Sequence, residues 1–309
     1  MIDVRACPPH SFPIPKSSFL IPHYYKPSSP LLQSSAKFVR ICLQIRNVRL
    51  PRAEARRILA MTVYGDIMAW FFANDALTTE YYTITGEDAS HIARSLRMKV
   101  GEALTLCTPD GRRHECEITE ITRTDVTVRI LGSTECEQEP DVRVNLFIAL
   151  MKGDKIDDVV QKAVELGASE ITPFLSARCI SRPDEKGLQK KRARWQKIAD
   201  NAASQSRRGV IPRVNDCIKL REIPEAVRNT DASVVFYECG GEKLGTLIQG
   251  KIKSLALITG SEGGFEQEEI DYLTQNGVKV ATLGKRILRA QTAPVAALCA
   301  AMLLTGNLE

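Results

Sequence analysis

From residue 142 onward, apolar runs of strand length alternate with amphipathic stretches of helical length, and this rhythm limits the fold more tightly than any other feature of the chain. Residues 142–150 form a near-continuous apolar run and read as a buried strand. In 154–166, Ile156, Val159, Val160, Ala163 and Val164 recur on one helical face, and Gly167 follows as the stop. Further strands are expected at 170–175, 234–238, 254–259 and 278–283, with helices at 188–206, 242–249, 266–275 and 291–304. Strands alternating with helices make a mainly parallel sheet, an α/β domain.

Upstream of an acidic linker at 135–141 the pattern is different. Thr85, with Asp88 three residues on and Ala89, Ile92, Ala93 and Leu96 at helical spacing, predicts a short capped helix. Alternating segments at 103–107, 114–122 and 126–131, separated by turn residues at Pro109-Asp110-Gly111 and Arg123-Thr124-Asp125, predict short strands of a small β-barrel. Residues 1–67 are different again: they are rich in proline and serine, and lack sustained periodicity up to about Arg52. They read as a disorder-like extension, either upstream of a true start at Met68 or, alternatively, a targeting segment.

Charge sharpens that division. The formal charge is +5, but residues 1–67 hold ten Lys or Arg against three Asp or Glu, leaving 32 basic and 34 acidic groups in the rest. Any surface for phosphate is therefore a local patch. The densest basic stretch holds Lys186, Lys190, Lys191, Arg192, Arg194, Lys197, Arg207, Arg208 and Arg213, and either contacts phosphate or is a solvated helix face. Nine cysteines without a Cys-x-x-Cys pair argue against a disulfide framework, and four scattered histidines argue against metal. Apolar runs such as 254–258 and 294–304 are too short to span a bilayer, so no membrane partner is expected.

Ligands in open α/β sheets bind at the carboxyl ends of strands, so strand exits with unusual backbone are where chemistry is sought. One exit reads Ile258-Thr259-Gly260-Ser261-Glu262-Gly263-Gly264-Phe265, with three glycines in five residues. The other reads Leu283-Gly284-Lys285-Arg286-Ile287-Leu288-Arg289-Ala290-Gln291-Thr292-Ala293 and runs into the last helix. Neither has the spacing of a phosphate loop or of a dinucleotide-binding fingerprint.

These two loops resemble the Gly-Pro-Glu-Gly-Gly-Phe and Leu-Gly-x-Arg-Ile-Leu-Arg-x-Glu-Thr-Ala motifs of the RsmE family. Lys152-Gly153-Asp154-Lys155, Lys162-Ala163-Val164-Glu165-Leu166-Gly167, Arg194-Trp195-Gln196-Lys197-Ile198-Ala199 and Ala203-Ser204-Gln205-Ser206 are similar to its first α/β unit and central helix. His91-Ile92-Ala93-Arg94-Ser95-Leu96-Arg97 with Val100-Gly101-Glu102 resembles its PUA-like RNA-binding domain. The resemblance implies an N-terminal PUA-like small β-barrel over 68–138 and a C-terminal SPOUT α/β domain with a trefoil knot over 142–306. It implies an S-adenosyl-L-methionine-dependent enzyme that methylates N3 of a uridine in 16S rRNA of the small ribosomal subunit, acting as a cytoplasmic homodimer.

The implied cofactor contacts are Gly260, Glu262, Gly263, Gly264, Leu283, Gly284, Ile287, Leu288, Arg289 and Thr292. Arg289 and Glu262 are the candidate catalytic groups, although each has a structural alternative and the general base is left unassigned. His91, Arg94, Arg97, Lys152, Arg194, Arg207 and Arg208 are the candidate RNA contacts. Trp195 and Phe265 could stack on a base, with core packing as the competing reading. Four positions depart from the family pattern: Ser261 replaces Pro, Ala290-Gln291 replaces Thr-Glu, and Trp70 stands where Arg is common. These departures keep two alternatives open, a non-catalytic RNA-binding or ribosome-assembly module and a SPOUT enzyme that methylates a ribose 2′-oxygen.

Overall fold

The structure, a computed structural model, describes residues 69–308, so the expectations for 1–67 and for a start at Met68 lie outside the described residues. Five strands, β1 (Ala69–Phe72), β2 (Tyr81–Ile84), β3 (Ala103–Cys107), β4 (Arg112–Ile121) and β5 (Val126–Glu135), form one sheet in the order β1-β3-β4-β5-β2. Period-two alternation puts Leu104, Leu106, Cys116, Ile118, Val126 and Val128 on the inner face, where Ile92 covers them. Ile92 comes from the expected short helix, α1 (Gly86–Ser90), which continues as a π-helical turn over His91–Ser95. Thr85 occupies the N-cap with extended backbone, but its hydroxyl makes no capping bond. The periodic reading did not include β1 and β2, which are four residues each and too short for a pattern.

The second sheet contains β6 (Arg143–Ala149), β7 (Glu170–Leu175), β8 (Arg213–Val214), β9 (Ile218–Lys219), β10 (Ala232–Phe236), β11 (Glu242–Lys243), β12 (Ser254–Thr259) and β13 (Lys279–Thr282). Its order is β11-β13-β10-β12-β6-β7-β8, with β9 also on β7, and every pairing is parallel. The helices are α2 (Lys155–Glu165), α3 (Glu185–Gln205), α4 (Ile223–Ala226), α5 (Leu244–Leu247), α6 (Gln267–Gln275) and α7 (Thr292–Leu304). The helix expected over 242–249 is a correction: it is a two-residue strand followed by a single helical turn. Gly241 sets up that strand, because a Cβ on it would lie 2.6 Å from the Ala281 carbonyl carbon. After β13, the last helix packs on α2, α5, β6 and β12. The chain thus returns across the sheet through 283–291.

A buried cation fastens the linker between the two sheets to the α/β domain. α3 ends in a Schellman motif, with Arg207 left-handed at φ 58, its N–H on Ser204 O at 3.3 Å and the Arg208 N–H on Ala203 O at 2.9 Å. That turn sends the Arg208 side chain inward, where it is only 4% exposed. Its guanidinium makes two bonds to the Glu139 carboxylate, at 2.8 and 2.7 Å, and donates to Val164 O and Ala168 O at the end of α2. Glu139 also accepts from the amides of Gly209 and Val210, and Trp70 of β1 donates its indole N–H to Arg208 O at 2.9 Å. Arg208 is therefore a structural residue and not an RNA contact, which corrects the sequence reading: its donors are spent inside the protein.

Burial by itself would raise the Glu139 pKa, but Arg208 and the two amides outweigh it and hold the carboxyl below its ordinary 4.5. A depressed folded-state pKa gives stability that is complete above the unfolded value and is lost as pH falls through the folded one. Arg208→Met, which strands Glu139, is expected to cost about 3–5 kcal/mol in urea unfolding at pH 7. The gap between wild type and Glu139→Gln should narrow as pH drops below 4.5. A gap that is constant with pH would contradict this account.

Candidate functional site

β13, β10 and β12 are adjacent in the sheet and parallel, so the loops leaving their carboxyl ends face one another. They enclose a cleft of about 520 Å³. One wall is the glycine loop after β12. The Gly264 N–H bonds Ser261 O at 3.0 Å to close a tight turn, with Gly264 left-handed at φ 66. Ser261, where proline was the familiar residue, is buried and points its hydroxyl at Arg178 O, 3.4 Å away. Arg178 in turn donates to Gly263 O at 3.1 Å, and a Cβ on Gly263 would sit 2.9 Å from the Arg178 Cβ. The loop after β7 thus props the glycine loop from behind, and glycine is needed where the two meet.

The second wall is 282–291, which stays non-helical until the Thr292 and Ala293 amides bond Arg289 O and start α7. It brings Lys285, Arg286 and Arg289 to the cleft, and it leaves Ile287 86% exposed. The third wall, Phe236-Tyr237-Glu238 after β10, was not among the predicted site residues. The signal for it was topological: β10 lies between the two strands whose exits carry the motifs. Every predicted cofactor residue lines this cleft except Thr292, whose place is the first turn of α7. Gln291 holds the N-cap position of α7 without a side-chain capping bond.

Glu262 is committed to a salt bridge. Its Oε1 accepts from Lys155 Nζ at 2.7 Å and from the Lys152 amide at 3.2 Å. Burial pushes its pKa up, yet Lys155 and the backbone amides push further the other way, so the carboxyl lies below 4.5. A carboxylate held in this way is a poor proton acceptor at neutral pH; its physical effect is to fasten the glycine loop to the start of α2. Lys152 contributes its backbone N–H to that fastening, while its side chain is exposed.

The other candidates divide into two groups. His91, Arg94 and Arg97 are exposed on and just after the π-helical turn, with the His91 ring edge-on to Phe71 at 6.2 Å. Arg194 pairs with Asp154 at 3.3 Å and with Asp157, Arg192 pairs with Asp216, and Lys197 pairs with Glu87, so much of the basic stretch is neutralised locally. Arg207 serves the end of α3 through its backbone. Trp195 and Phe265 are core residues: the Trp195 indole donates to Asp157, and Phe265 stacks on Phe174. Burial lifts the thiols of Cys107, Cys116 and Cys217 to about 12, which leaves them unreactive packing groups.

Family models and relatives match over the same regions. An RNA methyltransferase domain model matches residues 137–302, and an RNA methyltransferase PUA domain model matches 84–131. The ribosomal RNA small subunit methyltransferase E of Bacillus subtilis is 35% identical over 228 residues, covering 71% of this chain and 88% of its own. That of Mycobacterium bovis is 30% identical, covering 78% and 94%. The chain belongs to the ribosomal RNA small subunit methyltransferase E family. A crystal structure of the methyltransferase E of Neisseria gonorrhoeae, bound to S-adenosyl methionine, superposes with a TM-score of 0.71 at 30% identity, covering 77% of this chain and 98% of that one.

The Lys155–Glu262 bridge makes a direct prediction. Lys155→Met removes the principal lowering influence on Glu262 and leaves burial to act, so the Glu262 pKa should rise towards or above 4.5. Side-chain carboxyl NMR across pH 3–7, on the order of the usual carboxylate range, would read the shift; an unchanged titration would show that Lys155 does not set the charge of this loop.

Proposed function

We propose that this chain transfers the methyl group of S-adenosyl-L-methionine to N3 of a uridine in 16S rRNA, acting on the small ribosomal subunit in the cytoplasm. The observation that carries this reading is the convergence of three parallel strand exits on one cleft, in a chain whose other domain matches an RNA methyltransferase PUA model. The glycine turn and the non-helical 282–291 loop present backbone donors and acceptors at close range, which suits an adenine edge better than bulky side chains would. Lys285, Arg286 and Arg289 add positive charge for the cofactor carboxylate or for RNA phosphate. The bound cofactor supplies a methyl group activated by a sulfonium. N3 forms the new bond to that carbon as the sulfur–carbon bond breaks, S-adenosylhomocysteine leaves, and the N3 proton passes to solvent or to a base.

The protein's part is chiefly positioning. Glu262, tied to Lys155, keeps the glycine loop in place and is not the base. Exposed His91, Arg94 and Arg97 are the phosphate contacts that the PUA-like domain offers. Among the described helices none is long and apolar enough to cross a membrane.

The decisive experiment supplies labelled S-adenosylmethionine and small subunits from a strain lacking this modification. Label is expected in 3-methyluridine. Label in a 2′-O-methylated nucleoside would replace the target assignment, and no label on any ribosomal RNA would overturn the enzymatic one. The reading includes a homodimer, supported by α7, whose Leu303 and Leu304 are 59% and 52% exposed on a helix that is apolar on all sides. Light scattering at micromolar concentration should give twice the chain mass; a stable monomer would count against the dimer.

A further inference from the structure

Of the two carboxylates lining the cleft, Glu262 is neutralised by Lys155 and Glu238 is not. Glu238 stands at the exit of β10, the strand between β12 and β13, so both motif loops flank it. It is exposed, and among the described residues it makes no hydrogen bond or ion pair, although Lys285, Arg286 and Arg289 line the same cleft. Its Oε1 occupies the space beside Gly264 that a side chain would take: a Cβ on Gly264 would come within 2.1 Å of it. An acceptor pair is thus held against the glycine turn, with both oxygens unused.

S-adenosylmethionine presents three kinds of group to such a carboxylate. A sulfonium has no hydrogen to donate and gains only from proximity. The amino-acid end carries its own carboxylate, which the cationic 282–291 loop attracts. The ribose diol has two adjacent O–H donors that match two carboxylate oxygens. In parallel α/β sheets an acidic residue at a strand exit recognises a ribose hydroxyl in the same way. We infer that Glu238 binds the ribose diol of the cofactor and makes the cleft selective for a ribonucleoside; this rests on the cofactor assignment above.

Calorimetric titration of the full chain with S-adenosylhomocysteine and with its 2′-deoxy and 3′-deoxy analogues tests the assignment. Wild type should prefer the diol by about tenfold, the size of one charge-assisted hydrogen bond. Glu238→Ala, an exposed position whose loss leaves the core intact, should reduce that preference to about twofold or less while leaving the ratio of S-adenosylmethionine to S-adenosylhomocysteine affinity at its wild-type value. An unchanged diol preference in the variant overturns the inference. So does a changed sulfonium ratio with the diol preference intact, which would place the carboxylate at the sulfur. Wild type that binds none of the three ligands would overturn the cofactor assignment itself, and Glu238 with it.

Discussion

The arginine–glutamate pair between Arg208 and Glu139 is the buried contact that fastens the linker between the two sheets to the α/β domain. Five pieces of chain meet there: the linker through Glu139, β1 through the Trp70 indole, the end of α2 through Val164 and Ala168 carbonyls, the end of α3, and the Gly209-Val210 amides. A guanidinium that is 4% exposed cannot give up its partners without leaving charge in a medium that solvates it poorly. The pair therefore acts less as a source of net stability than as a constraint on geometry. The left-handed Arg207 that precedes it shows what the constraint costs locally, since a side chain at φ 58 is disfavoured by about 1–2 kcal/mol.

The same logic operates at the cleft on a smaller scale. Loops rich in glycine approach a ligand closely because they lack side chains, and for the same reason they hold their own shape weakly. Here the shape is imposed from outside. Arg178 grips the glycine loop at Gly263 and Ser261, Lys155 grips it through Glu262, and the Phe265 ring anchors its far end in the core against Phe174. Preorganisation of this kind matters for a reaction in which orientation of two reactants supplies much of the rate. Among the described residues, the charge that remains unpaired in the cleft, cations from 282–291 and the Glu238 carboxylate, is left for ligands.

Much of the α/β domain was legible because its elements are long enough to show a period. Strands at 170–175 and 254–259 have the boundaries that the apolar runs suggested, and α2 buries the five residues placed on one face. Illegible were the pieces too short to repeat, β8, β9 and α4, and the segment 242–249, where Gly241 serves a close backbone approach that composition does not reveal. Both motif loops were legible as strand exits. The third wall at Tyr237-Glu238 was not, because its only mark is adjacency in the sheet.

By itself the sequence determined the alternation of strands and helices, the glycine exits and the family, since each is carried by residues near one another in the chain. Charge was different. Arg208 and Arg194 look alike in a basic run, yet one is buried against Glu139 and the other pairs with Asp154 and Asp157 on the surface. Whether Glu262 is free or held depends on Lys155, more than a hundred residues earlier in the chain. The tertiary structure decided these roles, because the energy of an ionic group is set by its solvation and by its nearest opposite charge, and both are properties of position in space.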